Sequence, residues 1–221
     1  MTIQLTVDAV VFTIQQTELK VLLIKRKKPP FKGMYAIPGG FVRDSEETHD
    51  AVLRELSEET GVSDIFLHFF NTYASVGRDP RGRVVSMGYL ALISSDKLHL
   101  EASTDAEEAR WFRYDSLPKL AFDHDDVIRD ALKHLRFEIQ ATNIAAQLLP
   151  REFSLTELQT LYETILGIEL DKRNFRKRLR NLDILEATPH MRREGAHRPA
   201  RLYRFKDREY HPLKDKVHIF L

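Results

Sequence analysis

Glu55, Glu58 and Glu59 crowd into "DSEETHDAVLRELSEETGV", Asp44–Val62, where Arg54 is the sole lysine or arginine. On a helix turning 100° per residue the three carboxylates fall within an arc of roughly 100°. So placed they repel one another unless a cation lies between them. Hard oxygen ligands on a polar surface select Mg²⁺ or Mn²⁺, ions that keep several waters and bind substrate phosphates. Arg54 and Glu58 are spaced i,i+4, so the arginine can orient a carboxylate. Gly39 and Gly40, just upstream, let the backbone come close to the same place. The competing explanation is a solvated helix face. It accounts for Asp44, Glu46 and Glu47, which a helix N-terminus favours, and poorly for Glu58 and Glu59 in the last turn.

The elements that must position these groups are legible in outline. The acidic stretch reads as a helix over Glu46–Thr60, capped by Ser45 and stopped by Gly61. Strands precede it: "LTVDAVVFTI" and "LKVLLIKRK", joined by a turn at "QQTE". "IFLHFFNTYASV" and "VVSMGYLALIS" flank the turn-rich "GRDPRGR" and predict a hairpin. "EARWFRYDSL" predicts a short strand, and Asp125–Ala141 a helix with Val127, Ala131, Leu132 and Leu135 on one face. One helix enclosed by strands, with another after them, implies an α+β sandwich.

Near Leu149–Pro150 the pattern turns helical. Ser154 and Glu157 have capping-box spacing, and Leu155, Leu158, Tyr162 and Ile165 form the predicted buried stripe. Asp171 can cap a second helix in which Phe175, Leu179 and Leu182 share a face. On the opposite side lie Arg173, Arg176, Lys177 and Arg180, the cationic face of a helix that enters a groove. Asn174 stands near its N-terminal end, where it could read an adenine edge. A basic two-stranded ribbon follows, carrying Arg192, Arg193, His197, Arg198 and Arg201, suited to phosphate or minor-groove contact.

The overall charge of +1 conceals an asymmetry. Residues 1–150 hold 18 Lys+Arg against 22 Asp+Glu, a balance of −4, and residues 151–221 hold 16 against 11, a balance of +5. Two domains with different partners are expected, the basic one facing a polyanion. The chain has no cysteine, which excludes disulfides and thiolate metal sites and suggests a reducing cytoplasm. No apolar run reaches the roughly 18 residues of a membrane span, and the start lacks a signal peptide's basic region. A cytoplasmic protein is the expectation.

Gly40, Glu46, Arg54-Glu55-Leu56, Glu58-Glu59 and Gly61-Val62 together resemble the Nudix box at each of its defined positions. The resemblance implies an N-terminal Nudix α/β/α sandwich, its box a loop–helix–loop, and Mg²⁺-dependent hydrolysis of a nucleoside diphosphate linked to another group. It makes Gly40 (through its carbonyl), Glu55, Glu58 and Glu59 the metal ligands, with Arg54, Glu55 and Glu58 in catalysis. Glu101, Glu107 and Glu108 are candidate bases outside the box. "GRDPRGRVVSMGYLAL" resembles ADP-ribose pyrophosphatases and their regulatory relatives, which casts Arg78, Arg81 and Arg83 as pyrophosphate-binding groups. "FDH" at Phe122–His124 recurs there, with His124 expected as a structural hydrogen-bonder.

"LDKRNFRKRL" and "RPARLYRF" resemble the winged helix-turn-helix of the Nudix-related transcriptional regulators. Carried over, Lys172, Arg173, Asn174, Arg176, Lys177, Arg180 and the ribbon cations contact operator DNA. The expected division is residues 1–145 and 146–221, in a homodimer responding to ADP-ribose, a related nucleotide or a sugar. The regulators' box is frequently degenerate; this one is intact. That keeps open a pyrophosphatase whose winged helix serves another role.

Overall fold

In the computed structural model, residues 2–97, 108–193 and 199–213 are described. They fall into two compact units. The first comprises the chain up to Thr13, Leu19–Ile93 and Lys97–Lys133; the second comprises Ile14–Glu18, Ser94–Asp96 and the chain from His134 onward.

The apolar alternation of the N-terminal segment produces β1 (Gln4–Gln15) and β2 (Glu18–Lys25), followed by the short β3 (Tyr35–Ala36) and β4 (Gly39–Phe41). The acidic helix α1 (Thr48–Thr60) comes next, then β5 (Phe66–Tyr73), β6 (Val84–Leu92) and β7 (Ala109–Arg113). These strands form one mixed sheet in the order β3-β2-β1-β6-β5, with β4 on β1 and β7 on β2. β1 runs parallel to β6, and β5 and β6 pair antiparallel as the expected hairpin. Along β1, Val7, Ala9 and Val11 join Ala51, Val52 and Leu56 of α1 in one core cluster. Val10 and Phe12 point to the other face and are equally buried. Side chains alternate between faces, so the sheet is covered on both sides, as a sandwich requires.

α1 starts two residues later than the sequence pattern suggests. Its N-cap is Glu47, without a side-chain cap, and its C-cap is the left-handed Gly61. Ser45 does not cap because the chain before Glu47 is held otherwise. The Glu46 carboxylate accepts from the Arg43 N–H (3.2 Å) and from the Arg54 guanidinium (2.6 and 2.8 Å), which makes a turn there. α2 (His124–Ala141) is one helix with Val127, Ala131, Leu132 and Leu135 buried, as its periodicity predicts.

The second unit holds β8 (Phe153–Ser154), α3 (Leu155–Leu166), α4 (Lys172–Leu182), β9 (Leu185–Arg192) and β10 (Ala200–Phe205). The capping box is present: the Glu157 N–H donates to the Ser154 hydroxyl (3.1 Å), and the Ser154 N–H donates to the Glu157 carboxylate (2.7 Å). Leu161, rather than Leu155, completes the buried stripe with Leu158, Tyr162 and Ile165. Leu155 is the first helical residue and stays half-buried. Asp171 caps α4 through the Asn174 N–H (2.9 Å), and the Phe175 ring meets Tyr162 edge-on at 5.5 Å. β9 and β10 form the expected ribbon. The two-residue β8, too short for any periodicity to reveal, completes a three-stranded sheet in the order β8-β10-β9. Two helices followed by a ribbon on a small sheet is a winged helix.

Candidate functional site

The β1–β4 pairing places Asp8 opposite Gly39 and Val7 opposite Gly40, so the glycine pair lies between the sheet and α1. A Cβ on Gly40 would sit 2.2 Å from a Glu55 carboxylate oxygen. Glycine is what lets Glu55 lie against the strand. Gly39 donates its N–H to Glu59 at 3.0 Å. Arg54 ties the box together. It reaches Glu46 twice, Glu55 at 2.6 Å and the Phe41 carbonyl at 3.2 Å, and stands only 3.5 Å from Glu58. Its main partners are therefore Glu46 and Glu55, not the i,i+4 glutamate. Those bonds hold the Glu46 carboxyl down at about 2.

Burial pushes the Glu59 carboxyl up to about 8, against the Gly39 hydrogen bond, with nearby Glu55 adding to the rise. A desolvated carboxyl beside a second one is an arrangement that a cation relieves. The oxygen-only donor set, with the backbone drawn close at Gly40, fits a hard divalent ion. Glu55, Glu58 and Glu59 do not bring three ligand atoms within 4.8 Å of one another. Glu58 leans toward Arg43 and Arg54 instead. It is half-exposed, so it can rotate inward.

Next to the box is a cavity of about 60 Å³, lined by Asp8, Arg26, Gly39, Gly40, Arg81 and Phe122 among others. That is small beside the roughly 300–1,000 Å³ of ligand sites. Arg81 is among its lining residues. Its guanidinium pairs with Asp79 (2.6 Å) and lies over the rings of Phe41 (4.7 Å) and Phe122 (5.4 Å).

The three loop arginines separate here. Arg78 and Arg81 line the cavity, whereas half-buried Arg83 donates to the Ala74 carbonyl and is not among the lining residues. Arg78 is buried, bidentate on Asp123 (2.8 and 2.7 Å) and 3.5 Å from Asp8. Burial opposes its charge; the bonds to Asp123 and the nearby Asp8 outweigh this and hold its pKa up. His124 accepts the Ile37 N–H on Nδ1 at 3.1 Å, the structural role expected of it. Glu108 is held by the Tyr35 hydroxyl (3.3 Å) and by Arg110. Glu101 and Glu107 lie outside the described residues.

Sequence reasoning passed over Asp8 and Arg26, and it noted Phe122 only as part of "FDH", with no role of its own. Asp8 had a signal: it is the one charge inside the apolar run of β1. Arg26 looked like part of a basic strand end, yet it stacks on Phe122 at 4.7 Å. Phe122 takes a left-handed φ of 55°, costly for a bulky residue and a conformation that clusters at functional sites.

In the second unit Lys172, Arg173, Asn174, Lys177 and Arg180 are exposed along α4, and Arg176 is half-buried. Arg193 and Arg201 are exposed on the ribbon. Arg192 pairs with Glu157, the capping-box glutamate. His197 and Arg198 lie outside the described residues. No helix among the described residues is long and apolar enough to cross a membrane.

Comparison with known proteins matches both halves. The NUDIX domain matches residues 3–131, and the NrtR DNA-binding winged helix domain residues 145–205. The ADPR responsive transcriptional repressor NtrR of Acinetobacter baylyi is 37% identical over 211 residues, covering 93% of this chain and 83% of its own length. The ADP-ribose pyrophosphatase of Methanocaldococcus jannaschii is 44% identical over 120 residues, 54% of this chain and 70% of its own. The crystal structure of Shewanella oneidensis NrtR complexed with a 27mer DNA superposes with a TM-score of 0.80 at 34% identity, covering 91% and 93% of the two chains. The NUDIX domain of that protein complexed with ADP ribose gives a TM-score of 0.57 at 35% identity, covering 61% of this chain and 90% of the domain. Matched in both its halves and along nearly its whole length by such a repressor, the chain belongs to the NrtR family of Nudix-related regulators.

Proposed function

We propose that this protein is a transcriptional repressor that holds operator DNA through α4 and the β9–β10 ribbon, and releases it when the N-terminal domain binds ADP-ribose. The observation that carries the reading is the union, on one chain, of the box-and-cavity site with a winged helix whose charge is opposite. The repressor from Acinetobacter baylyi spans the same two parts. We place the division between the domains near residue 145 and the protein in the cytoplasm. A twofold homodimer would present two α4 helices to half-sites about 34 Å apart, or a multiple of that.

In the N-terminal site Gly40, Glu55, Glu58 and Glu59 would hold Mg²⁺ or Mn²⁺. Such an ion neutralises charge on pyrophosphate oxygens and acidifies an attacking water. Arg54 keeps Glu55 in place and Glu46 keeps Arg54 in place. Arg81 is the cavity cation best able to move: it leaves Asp79 for the pyrophosphate and opens the cavity as it does so. Arg78, committed to Asp123 and Asp8, positions the loop instead. Arg83 serves at the rim or not at all.

A second reading has its own support. The box is intact, and the identity to an ADP-ribose pyrophosphatase is 44%. Slow metal-dependent cleavage of ADP-ribose to AMP and ribose 5-phosphate is compatible with repression, the effector being consumed by its sensor. A sugar effector is less well suited to the paired arginines and acidic box.

The test is fluorescence anisotropy of the full-length protein on a duplex selected by that protein from a random pool. ADP-ribose, titrated into the complex of the Glu58→Gln variant, is expected to release the DNA. Unchanged DNA affinity, with ligand binding shown by calorimetry, would leave two independent functions on one chain.

A further inference from the structure

A groove of about 670 Å³ lies along α4, and it has two sides. Arg173, Arg176, Lys177 and Arg180 line it from the helix, and Tyr203 lines it from β10. Its one acidic lining residue, Asp183, is 2.7 Å from Lys206 and so already neutralised. The groove is accordingly cationic and suits an anion long enough to follow a helix.

Two donors in it lack protein acceptors. The Arg176 Nε is fully buried and bonds to nothing among the described residues. The Tyr203 hydroxyl makes no hydrogen bond among the described residues and, on a half-buried residue, stays open to solvent. A buried donor without an acceptor is costly, and native proteins leave few of them. Tyr203 is also well anchored. β10 is the central strand of the small sheet, and Tyr203 pairs with Phe153 of β8 on one side and Ala187 of β9 on the other. A hydroxyl held on a central strand loses little freedom when it makes a contact.

We infer that Tyr203 and Arg176 form a seat for one backbone phosphate of bound duplex DNA, so that the sheet as well as the recognition helix touches the operator. The inference rests on the DNA-binding reading above. Both residues line the groove, where phosphate oxygens would accept from the Tyr203 hydroxyl and the Arg176 guanidinium, and such contacts fix register without reading sequence. The seat aligns α4, leaving Asn174 and Arg173 at its start to meet base edges.

Two variants test it in the full-length protein, on a labelled duplex of about 30 base pairs chosen by the wild type from a random pool. Tyr203→Phe keeps the ring and removes one uncharged donor. It is expected to weaken binding about tenfold, with the slope of log affinity against log salt unchanged. Arg176→Gln removes a cation and is expected to flatten that slope by about 0.9. Thermal melts establish that each variant folds. If Arg176→Gln does not fold, Tyr203→Phe decides alone. Affinity of Tyr203→Phe within about twofold of wild type would overturn the seat while leaving α4 as the DNA contact. Failure of the wild type to select any duplex would instead overturn the DNA reading, and the seat with it.

Discussion

Glu59 shows how a single side chain can be tuned by its setting. Its carboxyl is buried, accepts from Gly39 and faces Glu55, so its neighbours leave a place for positive charge. Replacing Glu59 or Glu58 by glutamine should reduce Mg²⁺- or Mn²⁺-dependent release of AMP from ADP-ribose by about two orders of magnitude or more. The same change at Glu59 should abolish the rise in melting temperature caused by Mn²⁺, a readout independent of turnover. His124 makes a different prediction. Burial above all holds its pKa below the ordinary value; Asp8 and Asp123 oppose that, while Arg78 and Arg26 reinforce it. The folded protein therefore binds fewer protons than the unfolded chain just below pH 6.5. This contribution to stability is complete above about pH 6.5 and declines as the pH falls toward the folded value. Urea titrations at several pH values should show the decline, and His124→Asn, which retains an acceptor for the Ile37 N–H, should flatten it. An identical slope in the variant would assign the pH dependence to other groups.

Helix ends are where the elements differ most. α3 has both halves of its capping box, so Ser154→Ala should cost about 1 kcal/mol, read as a lower urea midpoint. α1 has no side-chain cap at Glu47 although the backbone there is extended. Glu47→Ser should therefore stabilise the protein by about 0.5–1 kcal/mol and leave nucleotide binding unchanged, since the Glu47 side chain makes no hydrogen bond or ion pair with the box residues named above. A loss of stability would mean that the turn at Glu46 cannot accommodate a capping geometry. α2 matters for another reason. It begins at His124, a cavity residue, and Asp123 just before it holds Arg78. One ion pair thus joins the arginine-rich loop to the start of a helix that continues past Lys133, where the first unit ends.

For the whole molecule, the opposed charges of its two parts suit two different ligands, and repression requires those ligands to be coupled. Coupling of binding free energies is reciprocal. If saturating ADP-ribose weakens the duplex by some factor, saturating duplex must weaken ADP-ribose by the same factor. Calorimetry of ADP-ribose binding to the Glu58→Gln variant, with and without selected duplex, checks this. Equal nucleotide affinity in both cases, beside a measured release of DNA, would break that reciprocity and show that the release does not come from the nucleotide binding that calorimetry detects.

What the sequence determined by itself was whatever is encoded within a few turns of chain. The box acids, the Ser154–Glu157 cap, the Gly61 stop and the split of α4 into apolar and cationic faces all depend on spacings of three or four residues. Helical periodicity and capping chemistry read those directly. The β5–β6 hairpin was legible for the same reason, its turn being dense in glycine, proline and aspartate. Tertiary structure decided the rest. Arg78, Arg81 and Arg83 look alike on the page, yet one is buried against Asp123 and Asp8, one covers a cavity and one holds a loop carbonyl. Those partners lie 45 and 70 residues from Arg78, beyond any local pattern. The start of α1 also moved, because Arg54, eight residues on, claimed the Glu46 carboxylate. A side chain's role follows from which opposite charge reaches it in the folded chain, and only long-range packing settles that.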